Sequence, residues 1–325
     1  MNYIKIAVLL SLLFTAVSAD VELEKIFKKT KVNGTIVISS LDGNETYMYN
    51  QERAAKRYLP ASTFKIPNTL ISLEEQVIKD ENEIIKWDGK VRAYAPWNKD
   101  QNLKSAISIS CVWCYQIFSK KIGNDKYLKY LEKINYGNKM TGSDVSTFWL
   151  DGDIKISAVE QIKFLTKLYK NDLPFSQKYI DITKKILIVD THSDYTIRAK
   201  SGWTGKLGWY VGYIEIKGKV WFFALNADIQ REQLKYRKQI VIESLKIKFL
   251  GRKGIINDLF SGFKDVPPDQ KKEFGQKINE VIEHYDTYVN EFVNVKSRYK
   301  IRFNLSHIAQ EYVNYYKTTL KKVIE

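Results

Sequence analysis

The order of hydrophobic and polar residues predicts strands near the N-terminus, helices through the middle, and strands again further on. Residues 34–50, "GTIVISSLDGNETYMYN", have the pattern of a strand, an Asp-Gly-Asn turn and a second strand. From residue 66 to about residue 179 the apolar spacing is mostly helical, most clearly in residues 124–134 and 157–170. Strand patterns return in residues 208–216 and 220–226, and a helical pattern covers residues 233–250.

This order of elements predicts an α+β protein. If the N-terminal hairpin joins the later strands in one antiparallel sheet, the middle helices form a helical subdomain beside that sheet. A cleft between the sheet and the helical subdomain is then the natural place for a functional site.

The first 19 residues have the pattern of a secretory signal peptide. Lys5 precedes an apolar run from residue 6 to residue 17, and the small residues that end at Ala19 suit signal peptidase. The apolar run is too short to span a bilayer comfortably, and no later stretch is long and apolar enough. We therefore expect an exported protein, periplasmic or secreted, with no transmembrane segment in its mature form.

The chain then divides into a main domain, residues 20–250, and a C-terminal extension, residues 251–325. The extension opens with the loop "KDVPPDQ" and continues with a helical pattern. Nothing in its sequence indicates a role for it, and no oligomeric state is predicted.

The formal charge of +15 comes from 52 Lys and Arg against 37 Asp and Glu. Such a charge favours contact with an anionic surface, although a general lysine bias explains it equally well. Export removes the usual nucleic-acid targets, so no nucleic-acid partner is predicted. One alternative is a cell-surface binding protein whose basic face holds an anionic polymer.

Two cysteines, Cys111 and Cys114, are three residues apart on a predicted helix. Export permits a disulfide between them. Their apolar flanks differ from the exposed, electropositive surroundings of a redox pair, which favours two buried, unpaired side chains.

The chain lacks the residues that several common catalytic sites need. Of three histidines only His192 lies in the main domain, so a Ser-His-Asp triad has no evident base. No spacing of His, Cys or Asp suits a zinc site, so no metal is predicted. "GWTGKLG" lacks the spacing of a phosphate-binding loop. Lysine is the remaining candidate for the base of a hydrolase.

Ser62 and Lys65 in "PASTFKIPN" suit that chemistry, because residues three apart share a helix face. The helix dipole favours negative charge developing on Ser62, and apolar neighbours would lower the pKa of Lys65. The structural alternative is a helix-capping serine and a solvated lysine. Two further Ser-x-x-Lys copies, at residues 261–264 and 297–300, show that the tetrapeptide alone is weak.

The surrounding motifs are more specific. In order along residues 26–250, the chain resembles the class D serine β-lactamases, the oxacillinase type. The resemblance rests on "PASTFKIPN", "IIKWDG", "APWNKDQNL", "SCV" followed by "YQ", "YGN", "FWLDGDIKISAVEQIKFL", "RAKSGW", "GWYVGYIE", "WFFALN" and "YRKQI".

The resemblance implies hydrolysis of the β-lactam ring of penicillin-type antibiotics, and thus antibiotic resistance. It implies that Ser62 forms an acyl-enzyme and that carbon dioxide carboxylates Lys65 to give the general base, with no other cofactor. Ser110 and Lys200 would carry the proton toward the leaving nitrogen. The resemblance implies a β-lactamase/transpeptidase-like fold.

The remaining roles are also implied by the resemblance. Trp149 would hydrogen-bond the carbamate, with Val112 and Leu150 as its apolar wall. The backbone N–H groups of Ser62 and Trp203 would form the oxyanion hole. Substrate binding would fall to Ser201, Gly202, Trp203 and Arg237.

Each of these residues taken singly has an ordinary structural explanation, such as a core tryptophan or a surface arginine. A second alternative is a β-lactam sensor or a transpeptidase. Such a protein would be acylated at the same serine but would release product slowly or not at all. The chain also departs from the family pattern, with Ser201 in place of the usual threonine and "SCVWC" around Val112.

Overall fold

Six strands build the sheet that carries the site. They are β1 (Gly34–Ser40), β2 (Thr46–Tyr49), β3 (Ile188–Thr191), β4 (Tyr195–Trp203), β5 (Leu207–Ile216) and β6 (Lys219–Asp228). All neighbouring strands are antiparallel, in the order β2-β1-β6-β5-β4-β3. This computed structural model describes residues 22–192, 195–216 and 218–250 of the 325-residue chain.

The first strand lies inside the sheet. It pairs with β2 on one side and with β6 on the other, where Gly34 is opposite Ala227 and Ser40 is opposite Trp221. The predicted N-terminal hairpin therefore does join the later strands in one antiparallel sheet. The predicted α+β class is confirmed.

Helices flank this sheet and form the middle of the chain. Residues 22–30 form α1. The others are α2 (Gln51–Ala55), α3 (Lys65–Glu74), α4 (Leu103–Ser108), α5 (Val112–Ile122), α6 (Asn124–Ile134), α7 (Phe148–Asp151), α8 (Ala158–Lys170), α9 (Gln177–Ile186) and α10 (Tyr236–Leu250). Short 3₁₀ helices cover Ala61–Phe64, Ala95–Trp97 and Arg231–Gln233.

Helix α8 packs across the sheet on β1, β5 and β6. Its start is fixed by a capping box, in which Ser157 and Glu160 each accept a backbone N–H of the other. Helix α3 is the centre of the helical subdomain, because every residue from Lys65 to Leu73 is buried and the helix packs against α5 and α9.

The apolar pattern did not predict β3 and β4. Strand β4 contains Arg198, Lys200, Ser201 and Gly202, which interrupt the expected alternation of apolar and polar residues. Lys200 is nevertheless only 5% exposed. A buried lysine in a strand is a local conflict between sequence and structure, and such conflicts are expected at functional sites.

The chain divides into two compact units, one ending at Glu243 and the other beginning at Ser244. The predicted limit of the main domain at residue 250 stays a prediction. The predicted signal peptide and the predicted extension, residues 251–325, lie outside the described residues. In the described part of the chain, no helix is both long and apolar enough to cross a membrane.

Candidate active site

Ser62 lies in the 3₁₀ helix Ala61–Phe64, which runs directly into α3. Thr63 fixes this turn, because its backbone N–H and its Oγ1 both donate to the Pro60 carbonyl, at 3.2 and 2.7 Å. Ala61 has φ 48°, a left-handed conformation that costs a non-glycine residue roughly 1–3 kcal/mol. The turn leaves Ser62 8% exposed just before α3.

Lys65 meets Ser62 one turn further along. Its Nζ lies 3.1 Å from Ser62 Oγ, and the lysine is completely buried. Burial, with a further contribution from the positive charge of Lys200, holds the pKa of Lys65 well below its usual value. The complete burial of Lys65 excludes the alternative of a solvated surface lysine, and the lowered pKa favours the uncharged form of its amine.

Ser110 and Lys200 form a second pair. Ser110 precedes the N-cap of α5 and has φ 55°, and its Oγ accepts a hydrogen bond from Lys200 Nζ. Lys200 also donates to the Ser201 carbonyl at 3.0 Å. Burial, and secondly the charge of Arg237, lowers the pKa of Lys200 from 10.5 to about 7. This lysine can therefore give up and take back a proton near neutral pH.

Strand β4 approaches the Ser62 turn through Gly202. A Cβ atom at this position would lie 3.0 Å from the Pro60 carbonyl oxygen and 3.2 Å from the Ser62 backbone nitrogen. The absence of a side chain therefore permits the close contact between β4 and the turn.

Arg237 comes from the first turn of α10 and reaches the same strand. Its Nη1 donates to the Gly202 carbonyl at 2.7 Å, and its Nε donates to Leu234 at 3.0 Å. Gly208 makes room for it, since a Cβ there would lie 2.9 Å from Arg237 Cδ. The half-buried Ser201 and Trp203 flank Gly202, so an arginine and a hydroxyl residue lie on the β4 side of the site.

Trp149 in α7 is completely buried, and its ring stacks on Phe64 with centroids 6.0 Å apart. Its indole Nε1 has no hydrogen-bond partner within the described residues. An unpaired buried donor costs about 1–3 kcal/mol, so this N–H is free to donate to an acceptor bound beside it. Leu150 follows it in α7 and Val112 begins α5, and both are half-buried.

Residues 28–246 match the family described as "Penicillin binding protein transpeptidase domain". Beta-lactamase OXA-20 of Pseudomonas aeruginosa is 47% identical over 206 residues, 63% of this chain and 77% of that protein. Beta-lactamase OXA-48 of Klebsiella pneumoniae is 43% identical over 225 residues, 68% of this chain and 85% of that protein. The chain belongs to the class D serine β-lactamases.

Solved class D β-lactamases share this fold. The enzyme of Sebaldella termitidis ATCC 33386 is 42% identical with a TM-score of 0.67, over 70% of this chain and 95% of that one. FUS-1 (OXA-85) of Fusobacterium nucleatum subsp. polymorphum is 38% identical with the same TM-score of 0.67, over 69% and 96% of the two chains. The β-lactamase/transpeptidase-like fold is thus confirmed. A second family, described as "Aminoacyl tRNA synthetase class II, N-terminal domain", matches residues 241–292, most of which lie outside the described residues.

The expectation of unpaired cysteines was wrong. Cys111 and Cys114 of this class D β-lactamase form a disulfide, with their Cα atoms 5.6 Å apart. Both are completely buried, as predicted. The pair bonds because Cys111 is the N-cap of α5 and Cys114 lies in its first turn, which brings their Cα atoms within disulfide range.

Sequence reasoning noted Trp113 beside Val112, but it did not predict the contacts that three aromatic residues make around the site. Lys65 Nζ lies 5.0 Å from the centre of the Tyr115 ring, and Tyr115 is held by a hydrogen bond of 2.7 Å to Thr69. Trp113 Nε1 donates to the Trp97 carbonyl at 3.0 Å, and Trp97 Nε1 donates to the Ile109 carbonyl at 3.1 Å. Only the proximity of Trp113 and Tyr115 to Ser110 in the sequence could have suggested these contacts.

In the described part of the chain, no three His, Cys, Asp or Glu residues lie close enough together to hold a metal ion. The carbamate implied by the resemblance does fit the residues present. Burial lowers the pKa of Lys65 and so favours the uncharged amine that reacts with carbon dioxide, and the unpaired N–H of Trp149 is a donor for a carboxylate.

Proposed function

We propose that this enzyme hydrolyses the β-lactam ring of penicillin-type antibiotics through an acyl-enzyme on Ser62 and so gives resistance. The contact between Ser62 Oγ and the completely buried Lys65 Nζ, at 3.1 Å, carries the proposal. It places a hydroxyl nucleophile within hydrogen-bond reach of a buried amine whose pKa is lowered, which is the arrangement that nucleophilic catalysis needs.

In the acylation step, Ser62 Oγ forms a bond to the lactam carbonyl carbon and its proton leaves toward the Lys65 side chain. The backbone N–H groups of Ser62 and Trp203 are the proposed donors to the oxyanion, each worth about 3–4 kcal/mol in comparable sites. Gly202 supports this assignment, because it lets β4 lie against the Ser62 amide.

When the ring C–N bond breaks, the leaving nitrogen takes a proton. Ser110 is the proposed donor, and Lys200 replaces the proton through the hydrogen bond that joins their side chains. A pKa of about 7 suits Lys200 to this task, because both of its protonation states are populated near neutral pH.

Lys65 is the proposed site of carboxylation, with Trp149 as the hydrogen-bond donor and Val112 and Leu150 as the apolar wall. The support is the burial of Lys65, which lowers the pKa of its amine, and the unpaired indole N–H of Trp149. Carbon dioxide would add to this amine with loss of a proton, and the carbamate would supply the general base for acylation and deacylation.

The substrate carboxylate is assigned to Arg237 and Ser201. The guanidinium of Arg237, in α10, is a planar fork of donors that matches a carboxylate. Ser201, in β4, adds a hydroxyl group. The hydrogen bond from Arg237 to the Gly202 carbonyl links this pair to the strand that contains Trp203.

A second candidate function is acylation without turnover, as in a sensor or a transpeptidase. The match of residues 28–246 to the penicillin-binding transpeptidase family favours it. The buried, unpaired Trp149 donor favours hydrolysis, because it supports a carboxylated base that deacylation can use.

Time-resolved mass measurement of the intact protein separates these functions. The protein is mixed with excess penicillin, with and without bicarbonate, beside a Ser62→Ala control. An adduct that decays while penicilloic acid accumulates, faster with bicarbonate, would support carbamate-dependent hydrolysis. A Ser62-dependent adduct that persists would mean acylation without turnover. Absence of both the adduct and penicilloic acid, together with salt-sensitive polymer binding that survives Ser62→Ala, would leave the surface-binding alternative.

Export is part of the same proposal. The predicted signal peptide supports a periplasmic or secreted enzyme that meets antibiotic outside the cytoplasm. The N-terminal sequence of the protein recovered from periplasm or medium should begin near Asp20. Full-length protein confined to the cytoplasm would overturn this assignment.

A further inference from the structure

The disulfide between Cys111 and Cys114 encloses part of the site. Ser110 directly precedes Cys111, and Val112 lies within the four-residue loop that the bridge closes. Cys111 is also the N-cap of α5, and its Sγ accepts the backbone N–H of Cys114 at 3.2 Å. The bridge and the helix cap therefore fix the same turn.

Ser110 depends on this turn for its direction. Its φ of 55° is a conformation that residues other than glycine seldom adopt, so the surrounding structure must hold it. The chain on its C-terminal side passes directly into the bridged turn. On its other side, Ile109 accepts a hydrogen bond from Trp97, whose own carbonyl is bound by Trp113 of α5.

The size of the loop decides where the bridge acts. A bridge between residues three apart constrains the unfolded chain less than a long-range bridge does. Its constraint in the folded protein falls on the first turn of α5, and the adjoining Ser110 Oγ is the acceptor of the Lys200 hydrogen bond.

We propose that the Cys111–Cys114 disulfide is a positioning element that keeps Ser110 aligned with Lys200 and so sets the rate of Ser62 acylation. This inference rests on the proposed role of Ser110 in delivering a proton to the leaving nitrogen. The two cysteines act through Ser110.

Both cysteines are completely buried, so a reductant reaches them only when the first turn of α5 opens. Reduction by a dithiol breaks the S–S bond, adds two electrons and two protons to give two thiols, and converts the dithiol to its disulfide. The folded enzyme should therefore keep the bridge in mild reductant and lose it after unfolding in the presence of a dithiol.

The test compares two forms of the full chain that differ by about 2 Da, the mass of two hydrogens. One portion is unfolded and refolded with a dithiol under exclusion of oxygen, and the other is refolded without it. The rate of penicillin adduct formation, kcat and KM are measured well below the melting temperatures of both forms, and Tm is measured in separate thermal unfolding. The reduced form should acylate about tenfold more slowly, with KM for penicillin little changed. Reoxidation should restore the rate.

The Cys111→Ala/Cys114→Ala variant is the matched control. It should acylate as slowly as the reduced wild type, and the two refolding routes should give it the same rate. If the reduced wild type does not refold, the acylation rate of this variant tests the inference in its place. Acylation of the reduced form or of the variant within about twofold of the oxidised wild type, with only Tm lowered, would overturn the inference and leave a purely structural bridge. Absence of both an adduct and penicillin hydrolysis in the oxidised wild type would overturn the proposed function and this inference together.

Discussion

Gly202 in β4 and Ser62 in the 3₁₀ turn before α3 are in backbone contact, so that a Cβ at position 202 would stand 3.2 Å from the Ser62 nitrogen. The residue opposite Gly202 in the sheet is Trp209, whose indole donates to the Leu59 carbonyl at 2.8 Å, just before the same turn. Two neighbouring strands thus determine where the nucleophile lies.

Gly202→Ala should lower kcat/KM by about tenfold or more, because the added methyl group displaces the proposed oxyanion donor at Ser62. Steady-state kinetics with a penicillin would measure the loss. Gly43→Ala, at a left-handed hairpin position with φ 76°, is the control. It should cost stability while leaving kcat/KM unchanged. Equal activity of Gly202→Ala and wild type would remove the oxyanion assignment for Ser62.

Lys65→Met should abolish hydrolysis and raise the melting temperature. Methionine fills a similar volume without an amine, and burying that amine opposes folding. Loss of a general base reduces rates by about 10²–10⁴-fold. Thermal unfolding and kcat/KM on the same preparation would check both effects. A fall in the melting temperature would mean that the contact with Ser62 outweighs the cost of burial.

The free energy of unfolding should rise with pH above neutrality. The folded pKa of Lys200 is about 7, lowered from 10.5, so the unfolded chain binds the additional proton between these values. Lys65 is shifted in the same direction. We expect a gain on the order of a few kcal/mol from about pH 7 to about pH 10, measured by urea unfolding in bicarbonate-free buffer. The Lys65→Met/Lys200→Met variant should show a flatter dependence, and an unchanged slope would contradict this account.

Trp149→Phe should raise the bicarbonate concentration needed for half-maximal activity by about tenfold, because one hydrogen bond to a charged acceptor is lost. Its stability should fall only because the smaller ring leaves a cavity in the core, since the indole N–H has no partner within the described residues. Trp209→Phe is the opposite case, because it removes a hydrogen bond to Leu59. That variant should lose about 1–3 kcal/mol of stability and keep the bicarbonate dependence of the wild type. Identical bicarbonate curves for Trp149→Phe and wild type would argue against Trp149 as the carbamate donor.

Arg237→Ala should raise KM by roughly 10–100-fold with a smaller change in kcat, because it removes charge-assisted donors to the substrate carboxylate. It should also raise the pKa of Lys200, which the positive charge of Arg237 lowers. Arg231→Ala is the comparison, since Arg231 lies near the site but contacts the Trp203 ring, 5.7 Å away. Steady-state kinetics across pH would measure both KM and the shift in the limb of the pH–activity profile that reports the pKa of Lys200.

The sequence was sufficient for the hairpin, for α6 at Asn124–Ile134 and for the strands now seen as β5 and β6. In each case the apolar spacing is regular and the turns carry glycine. It was insufficient for β4, because that strand buries Lys200 and carries Gly202 where an apolar residue is expected. The residues that interrupt the apolar pattern of β4 are the same residues that are assigned to the site.

The candidate site was predictable through its motifs more than through its geometry. Spacing alone brought Ser62 and Lys65 together, because they share one helix face. The contact of Lys200 with Ser110 joins residues 90 positions apart, and only the family resemblance paired them. For the disulfide, the sequence showed both cysteines but did not predict the bond between them, because that bond depends on the cap geometry of α5.

The position of β1 between β2 and β6 has a consequence for folding during synthesis. One edge of β1 receives its neighbour from residues 46–49 at once, while the other waits for residues 221–227. Until that late segment exists, the growing chain presents an open strand edge, to which a second chain could pair. Long-range pairing of this kind also slows folding. The rate at which native protein accumulates should therefore depend on how soon residues 221–227 become available to pair with β1.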